Sequence, residues 1–259
     1  ESLMPFQGPT PNDDRFFAAA GDTIYEVSGS ATVSLTGLSN ARWQDVNFAG
    51  TGGNFLWICN GEDTPRYWDG TWHTASITGV TSSDMVSCCL YRNRIWTVLK
   101  DSTKAAYLPL DSVQGVATTF ELGGYFSMGG YLQAIGTWST DVQGGTNEFI
   151  CFVSSYGEVA IFLIYDPSAE GGFAFRGVAS LGSPIGRRCL ARIGSDLGLI
   201  TLDGVFPLSK VVSYDRAAIQ SLAITATINP TVQAATRDFG SQFGWEILAY
   251  PLGNMAILN

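Results

Sequence analysis

Cys88-Cys89-Leu90-Tyr91-Arg92-Asn93-Arg94-Ile95-Trp96-Thr97-Val98-Leu99 is the stretch whose reading decides the fold. Two short runs rich in apolar, aromatic and β-branched residues flank the polar turn Arg92-Asn93-Arg94, which is a hairpin signal. After the polar break Lys100 to Lys104, a third apolar run, Ala105 to Leu110, begins, and the unit extends to Leu122. Three such runs in succession predict a β-meander, the form of one propeller blade.

The same pattern of strand, turn and strand recurs around Gly21, Gly61, Asn93, Gly157, Asp203-Gly204 and Gly253. Regular blades repeat roughly every 40–50 residues, and the spacing here is uneven. A sandwich would explain the turns but not the recurrence of double hairpins, so the expected fold class is all-β, propeller-like, with irregular blades. Residues 1–15, with three Pro and two Asp, read as an irregular entry segment, and residues 16–259 as the propeller-like domain. Between about 213 and 240, Ile219, Leu222, Ala223, Ala226, Val232 and Ala235 recur at helical spacing. This predicts one or two short helices inserted between blades, with Pro230 interrupting them and Asp215 at an N-cap position. The run Trp245 to Asn259 is expected to pair with strands near Phe16 and close a ring. Because the sequence starts at Glu1 and stops inside a strand-like run, it reads as an excerpt of a longer chain.

Composition narrows the function. The net charge is −9, with 14 Lys and Arg against 23 Asp and Glu, and only three Lys. Tight binding to a phosphate backbone draws on clustered cations, so a sequence-reading role is not expected. An acidic wall would instead let a polyanion pass without sticking. The five cysteines are odd in number, most lie within or beside apolar runs, and no Cys-x-x-Cys occurs, which predicts buried free thiols rather than disulfides or a zinc site. No apolar run approaches the roughly 18 residues of a membrane span.

Candidate chemistry is sparse. His73 is the single histidine, and no Gly-x-Ser-x-Gly elbow accompanies it. Asp13-Asp14 and Glu62-Asp63 are adjacent carboxylates in polar turns, whereas glycoside hydrolysis needs two carboxylates facing each other across a sugar. Asp69-Gly70-Thr71-Trp72 faintly resembles the Asp-box of sialidase-type propellers without its full spacing. Gly50-Thr51-Gly52-Gly53 lacks the Gly-Lys-Ser/Thr of a phosphate loop and reads as a glycine turn. No metal or cofactor set is evident. The candidate contact residues are Arg187, Arg188 and Arg192, the only basic cluster, and Tyr125 and Tyr131 of two Gly-Gly-Tyr triplets. The arginines are expected in salt bridges, within the chain (for example to Asp196) or between subunits, with contact to DNA phosphate or an acidic partner surface as the alternative. The tyrosines are expected in core packing, with an inter-blade or inter-subunit seam as the alternative.

Several stretches carry a family resemblance. Arg92 to Val98, Ala106-Tyr107-Leu108-Pro109-Leu110, Gly123-Gly124 with Gly129-Gly130-Tyr131-Leu132, Ile185 to Leu190, Asp203 to Ser209 and Asp215-Arg216-Ala217 resemble tail nozzle proteins of short-tailed bacteriophages. These are also called tail tubular protein B-like or packaged-DNA stabilisation proteins. The resemblance covers roughly 88–259 and, loosely, 16–72. It implies a non-enzymatic virion subunit carrying a β-propeller in a homo-oligomeric, hexamer-type ring that continues the DNA channel. The implied partners are portal and adaptor proteins, tail fibres or spikes, and double-stranded DNA in transient, non-specific passage. Assembly would occur in the bacterial host cytoplasm. The alternative is a glycan-binding or glycan-cleaving propeller for host recognition, with Trp57, Trp68, Trp72 and Trp96 as stacking platforms and Glu62 or Asp63 as the acids.

Overall fold

The computed structural model describes residues 1–142, 145–194, 196–211, 220–250, 253 and 255–259. It divides into two compact units, Glu1–Glu121 and Leu122–Asn259.

In the first unit, β1 (Ser2–Phe6), β2 (Arg15–Ala20), β3 (Thr23–Glu26) and β4 (Thr32–Leu35) form an antiparallel meander in sequence order. So do β5 (Gln44–Gly50), β6 (Gly53–Cys59), β7 (Arg66–Trp68) and β8 (Trp72–Thr74). A short β9 (Ile77–Thr78) precedes the third sheet, made of β10 (Met85–Tyr91), β11 (Arg94–Leu99), β12 (Lys104–Tyr107) and, beyond β13 (Gly115–Val116), β14 (Thr118–Glu121). β9 and β13 pair in parallel. The hairpin expected at Asn93 closes as read: Tyr91 pairs with Arg94, and Arg92 and Asn93 have φ of 48° and 55°. Positive φ at both turn positions gives the primed turn that matches strand twist.

The middle sheet of this unit is buried on both faces. Leu56 and Ile58 join Met4, Phe17, Ile24 and Trp43 on one side. Phe48, Trp57 and Cys59 join Met85, Ile95 and Leu108 on the other. Face-to-face packing of four-stranded meanders is how blades bury both sides of a sheet.

The second unit holds a fourth meander, β15 (Leu132–Val142), β16 (Gly145–Ser154), β17 (Glu158–Ile164) and β18 (Phe173–Ser180). A three-stranded sheet follows, β19 (Leu190–Ile193), β20 (Asp196–Thr201) and β21 (Gly204–Pro207). After it come α1 (Leu208–Val211), 3-10 turns at Gln220–Leu222 and Ala226–Ile228, α2 (Asn229–Phe239) and the hairpin β22 (Ile247–Tyr250) with β23 (Met255–Leu258). Gly136 sits where a Cβ would come within 2.9 Å of Leu190 and Leu197 side chains, so the fourth and fifth sheets approach closely there.

Three expectations are corrected. The entry segment is not irregular throughout: Ser2–Phe6 is β1, with Met4 and Phe6 in the core, because its alternation of buried and exposed residues outweighs Pro5. Pro5 is tolerated because β1 is an edge strand. Pro230 does not interrupt a helix but opens α2, where its missing N–H costs nothing. The terminal run does not pair near Phe16: β2 is flanked by β1 and β3, and β22 pairs with β23. The N-cap expected at Asp215 lies outside the described residues.

Candidate functional site

The first unit contains a cleft of about 550 Å³ where the first and second sheets meet. That volume suits a small ligand. Phe6 and Trp68 supply its apolar wall, and Arg15, Glu26, Asn54 and Asp69 supply polar groups, with Asp13 at the rim. Local chemistry places each of them. Asp13 follows the turn at Thr10, whose hydroxyl donates to Asp13 Oδ2 at 2.6 Å. Arg15 donates through Nη1 to the carbonyls of Asn12 and Asp14 and pairs through Nε with Glu26 Oε1 at 3.3 Å. Asn54 donates through Nδ2 to the Gln7 carbonyl at 3.1 Å.

Asp69 lies in the Asp69-Gly70 turn between β7 and β8. Its Oδ1 accepts from the Thr71 amide at 3.3 Å and lies 3.0 Å from His73 Nε2. The turn expected from the sequence is present, with Gly70 at φ 122°. His73 is the last rung of an aromatic ladder running across the sheet. Phe48 and Phe55 have centroids 6.2 Å apart, Phe55 and Tyr67 5.9 Å, and Tyr67 and His73 are stacked at 4.9 Å. On the opposite face Trp68 meets Phe17 at 5.0 Å and Trp72 at 5.4 Å, both edge-on.

The other sequence candidates fall elsewhere. Trp57 and Trp96 are fully buried, and Trp57 Nε1 donates to the Val113 carbonyl at 3.0 Å, so neither is a stacking platform. Glu62 pairs with Lys100. Asp63 accepts from the Ser39 amide and hydroxyl and from Asn60 Nδ2, fastening the loop before β5. The two adjacent carboxylates therefore serve separate structural contacts. Gly50-Thr51-Gly52-Gly53 is the glycine turn expected, joining β5 to β6, and the Thr51 amide and hydroxyl donate to Asp111.

In the second unit Arg188 pairs with Glu246 at 3.0 Å, both half-buried, and its guanidinium lies 5.7 Å from the Phe243 ring. A salt bridge was the reading for this cluster, but Asp196 is not the partner. Asp196 instead accepts from the Ser209 amide and hydroxyl. Arg192 is exposed on β19, and Arg187 is half-buried. The two Gly-Gly-Tyr triplets are not equivalent. Tyr125 packs on Phe162 at 5.0 Å and Phe175 at 4.8 Å, whereas Tyr131 is exposed. Gly129 and Gly130 have φ of 75° and 88°, and a Cβ on Gly130 would lie 2.5 Å from Ser155 Oγ. Only Gly130 of that pair is crowded, by the side chains of Ser155 and Tyr156; nothing lies within 4 Å of a Cβ on Gly129.

Glu158 was not singled out from the sequence. It is buried at the head of β17, and it accepts from the Ser127 amide at 3.0 Å, the Ser127 hydroxyl at 2.6 Å and the Met128 amide at 2.9 Å. Burial works to raise its carboxyl, but these three bonds outweigh it and hold the group below the usual carboxylate range. A charge opening an otherwise apolar run after Gly157 was the available signal. The five cysteines are free thiols, and burial pushes Cys189 up to about 12. No group of three metal-ligating side chains occurs among the described residues. No helix among them is long and apolar enough to cross a membrane.

No family model matches the chain, and a search of curated proteins finds no match. Solved structures do match in fold. A chain from the crystal structure of BBS1N in complex with ARL6DN superposes with a TM-score of 0.52 at 9% identity, over 79% of this chain and 61% of that one. A catalytically inactive virginiamycin B lyase from Staphylococcus aureus, solved with quinupristin, gives 0.50 at 12%, over 79% of this chain and 66% of that one. This chain thus spans under two thirds of either. The likeness is one of fold alone: all-β, of the β-propeller type, with irregular blades and a short helical insertion.

Proposed function

We propose that this chain is a structural, non-enzymatic propeller of a bacteriophage tail, of the nozzle type, acting in a homo-oligomeric ring around a DNA conduit. The observation that carries the assembly part is the outward face of the terminal hairpin. Leu248, Tyr250, Met255 and Ile257 are each about half exposed, and they pair across the strands as Leu248–Ile257 and Tyr250–Met255. A contiguous apolar face of this kind marks a contact surface. The conduit part is supported by the net charge of −9 and by Arg188, which is held by Glu246. The resembling stretches also coincide with framework elements, since Arg92 to Val98 supplies the turn after β10 and most of β11, and Asp203 to Pro207 supplies the turn into β21 and β21 itself.

A second reading, a glycan-recognising propeller of the same tail, is favoured by one observation, the cleft beside Trp68. Negative-stain microscopy of the full-length protein mixed with portal and adaptor tests the first reading. The expected result is a ring stacked on the portal–adaptor axis. Failure to join, under conditions where portal and adaptor already join each other, overturns it.

A further inference from the structure

The cleft in the first unit has a feature that its residue types alone do not reveal: each polar group in it is half committed. Asp13 Oδ2 takes the Thr10 hydroxyl, Asp69 Oδ1 takes Thr71 and His73, and Glu26 Oε1 takes Arg15. Among the described residues, Asp13 Oδ1, Asp69 Oδ2 and Glu26 Oε2 then have no protein partner, and neither has Arg15 Nη2 or Asn54 Oδ1. The bonds already made fix the side chains, and the uncommitted atoms supply four acceptors and one donor around one space. Trp68 adds an aromatic side chain to the lining.

From this geometry we infer that the cleft is a binding site for a neutral saccharide. Hydroxyl groups bind best to pre-oriented charged acceptors, because such hydrogen bonds are stronger than neutral ones. A sugar ring presents C–H groups on one face to an aromatic side chain and hydroxyls around its edge, and the cleft brings Trp68 and carboxylate and amide acceptors to one space. The internal bonds argue against a bare cation trap, since one charge is matched by Arg15 and Asp69 is engaged by Thr71 and His73. Three carboxylates against one arginine also repel acidic sugars. The occupancy inferred is two or three sugar units, given about 550 Å³. This inference rests on the second reading above and assigns that reading its site and ligand class.

The test is isothermal titration calorimetry on the full chain with maltotriose, chitotriose, sialyllactose and spermidine. A neutral trisaccharide is expected to bind, and sialyllactose to bind at least about tenfold more weakly, equivalent to about 1.4 kcal/mol. Asp69→Asn and Asp13→Asn, both at exposed turn positions, are each expected to weaken binding about tenfold. Glu170→Gln, an exposed charge in the second unit, is expected to leave it unchanged. Neutral-sugar binding that survives Asp69→Asn and Asp13→Asn overturns this site while keeping the glycan-recognising reading. Absence of any saccharide binding removes both. Spermidine binding that those variants abolish, with no sugar bound, reassigns the cleft to organic cations and overturns the inference.

Discussion

β17 and the terminal hairpin are built from the same kind of residue and meet opposite fates. Glu158-Val159-Ala160-Ile161-Phe162-Leu163-Ile164 is buried at every position. One face joins the cluster of Val153, Leu199 and Phe206, and the other packs Phe162 against Tyr125, Phe152 and Phe175. β22 and β23 bury only Ile247 and Leu258 against that cluster and turn their other face outward. The hydrophobic effect is proportional to area removed from water. Apolar side chains that the unit itself covers therefore hold the unit together, and those it leaves uncovered are available to hold it to something else.

The comparison is sharpest where the cost of truncation is greatest. Phe162→Ala removes a ring surrounded by four others and is expected to cost about 3–5 kcal/mol in denaturant unfolding. A loss below about 1 kcal/mol would mean that β17 is not a core strand. Glu158→Leu strands the Ser127 amide, Ser127 hydroxyl and Met128 amide and is expected to cost on the order of 3 kcal/mol.

That contribution has a pH signature. A carboxyl whose folded pKa lies below its unfolded one stabilises fully above the unfolded value, about 4.3 for Glu, and its contribution fades as pH falls through the folded value. The advantage of wild type over Glu158→Gln should therefore shrink in acid, as followed by unfolding at a series of pH values. A constant difference would show that the charge is not what the Ser127 loop uses. Arg188→Ala, which breaks a half-buried pair with Glu246 and a contact with Phe243, is expected to cost about 1–2 kcal/mol. The smallest effect on stability belongs to the hairpin: Leu248→Ser and Ile257→Ser should each stay within about 0.5 kcal/mol.

Much of the framework was legible because hairpin turns announce themselves chemically. Gly21, Gly61, Asn93, Gly157 and Gly204 all adopt the positive φ that makes Gly or Asn the residue of choice. β1 was hidden by Pro5 and by Pro9 and Pro11 just beyond it, and the parallel pair of β9 and β13 by its length of two residues each. The candidate site was legible only in fragments. Asp13 and the Asp69-Gly70 turn stood out, but their meeting with Glu26 and Asn54 depends on the packing of the first sheet against the second, which periodicity does not encode. The exposure of Leu248 and Ile257 was equally invisible, since alternation is the same whether a face is covered or bare. A charge beside an apolar run, as Glu158 is, ordinarily reads as the boundary of that run.

One measurement bears most directly on the claim that the uncovered face is an assembly surface of a structural propeller: sedimentation of the full chain beside its Leu248→Ser/Ile257→Ser double variant. The account predicts an oligomer for the wild type and a monomer of nearly unchanged melting temperature for the variant. Identical sedimentation of the two, whether both monomeric or both assembled, would contradict it.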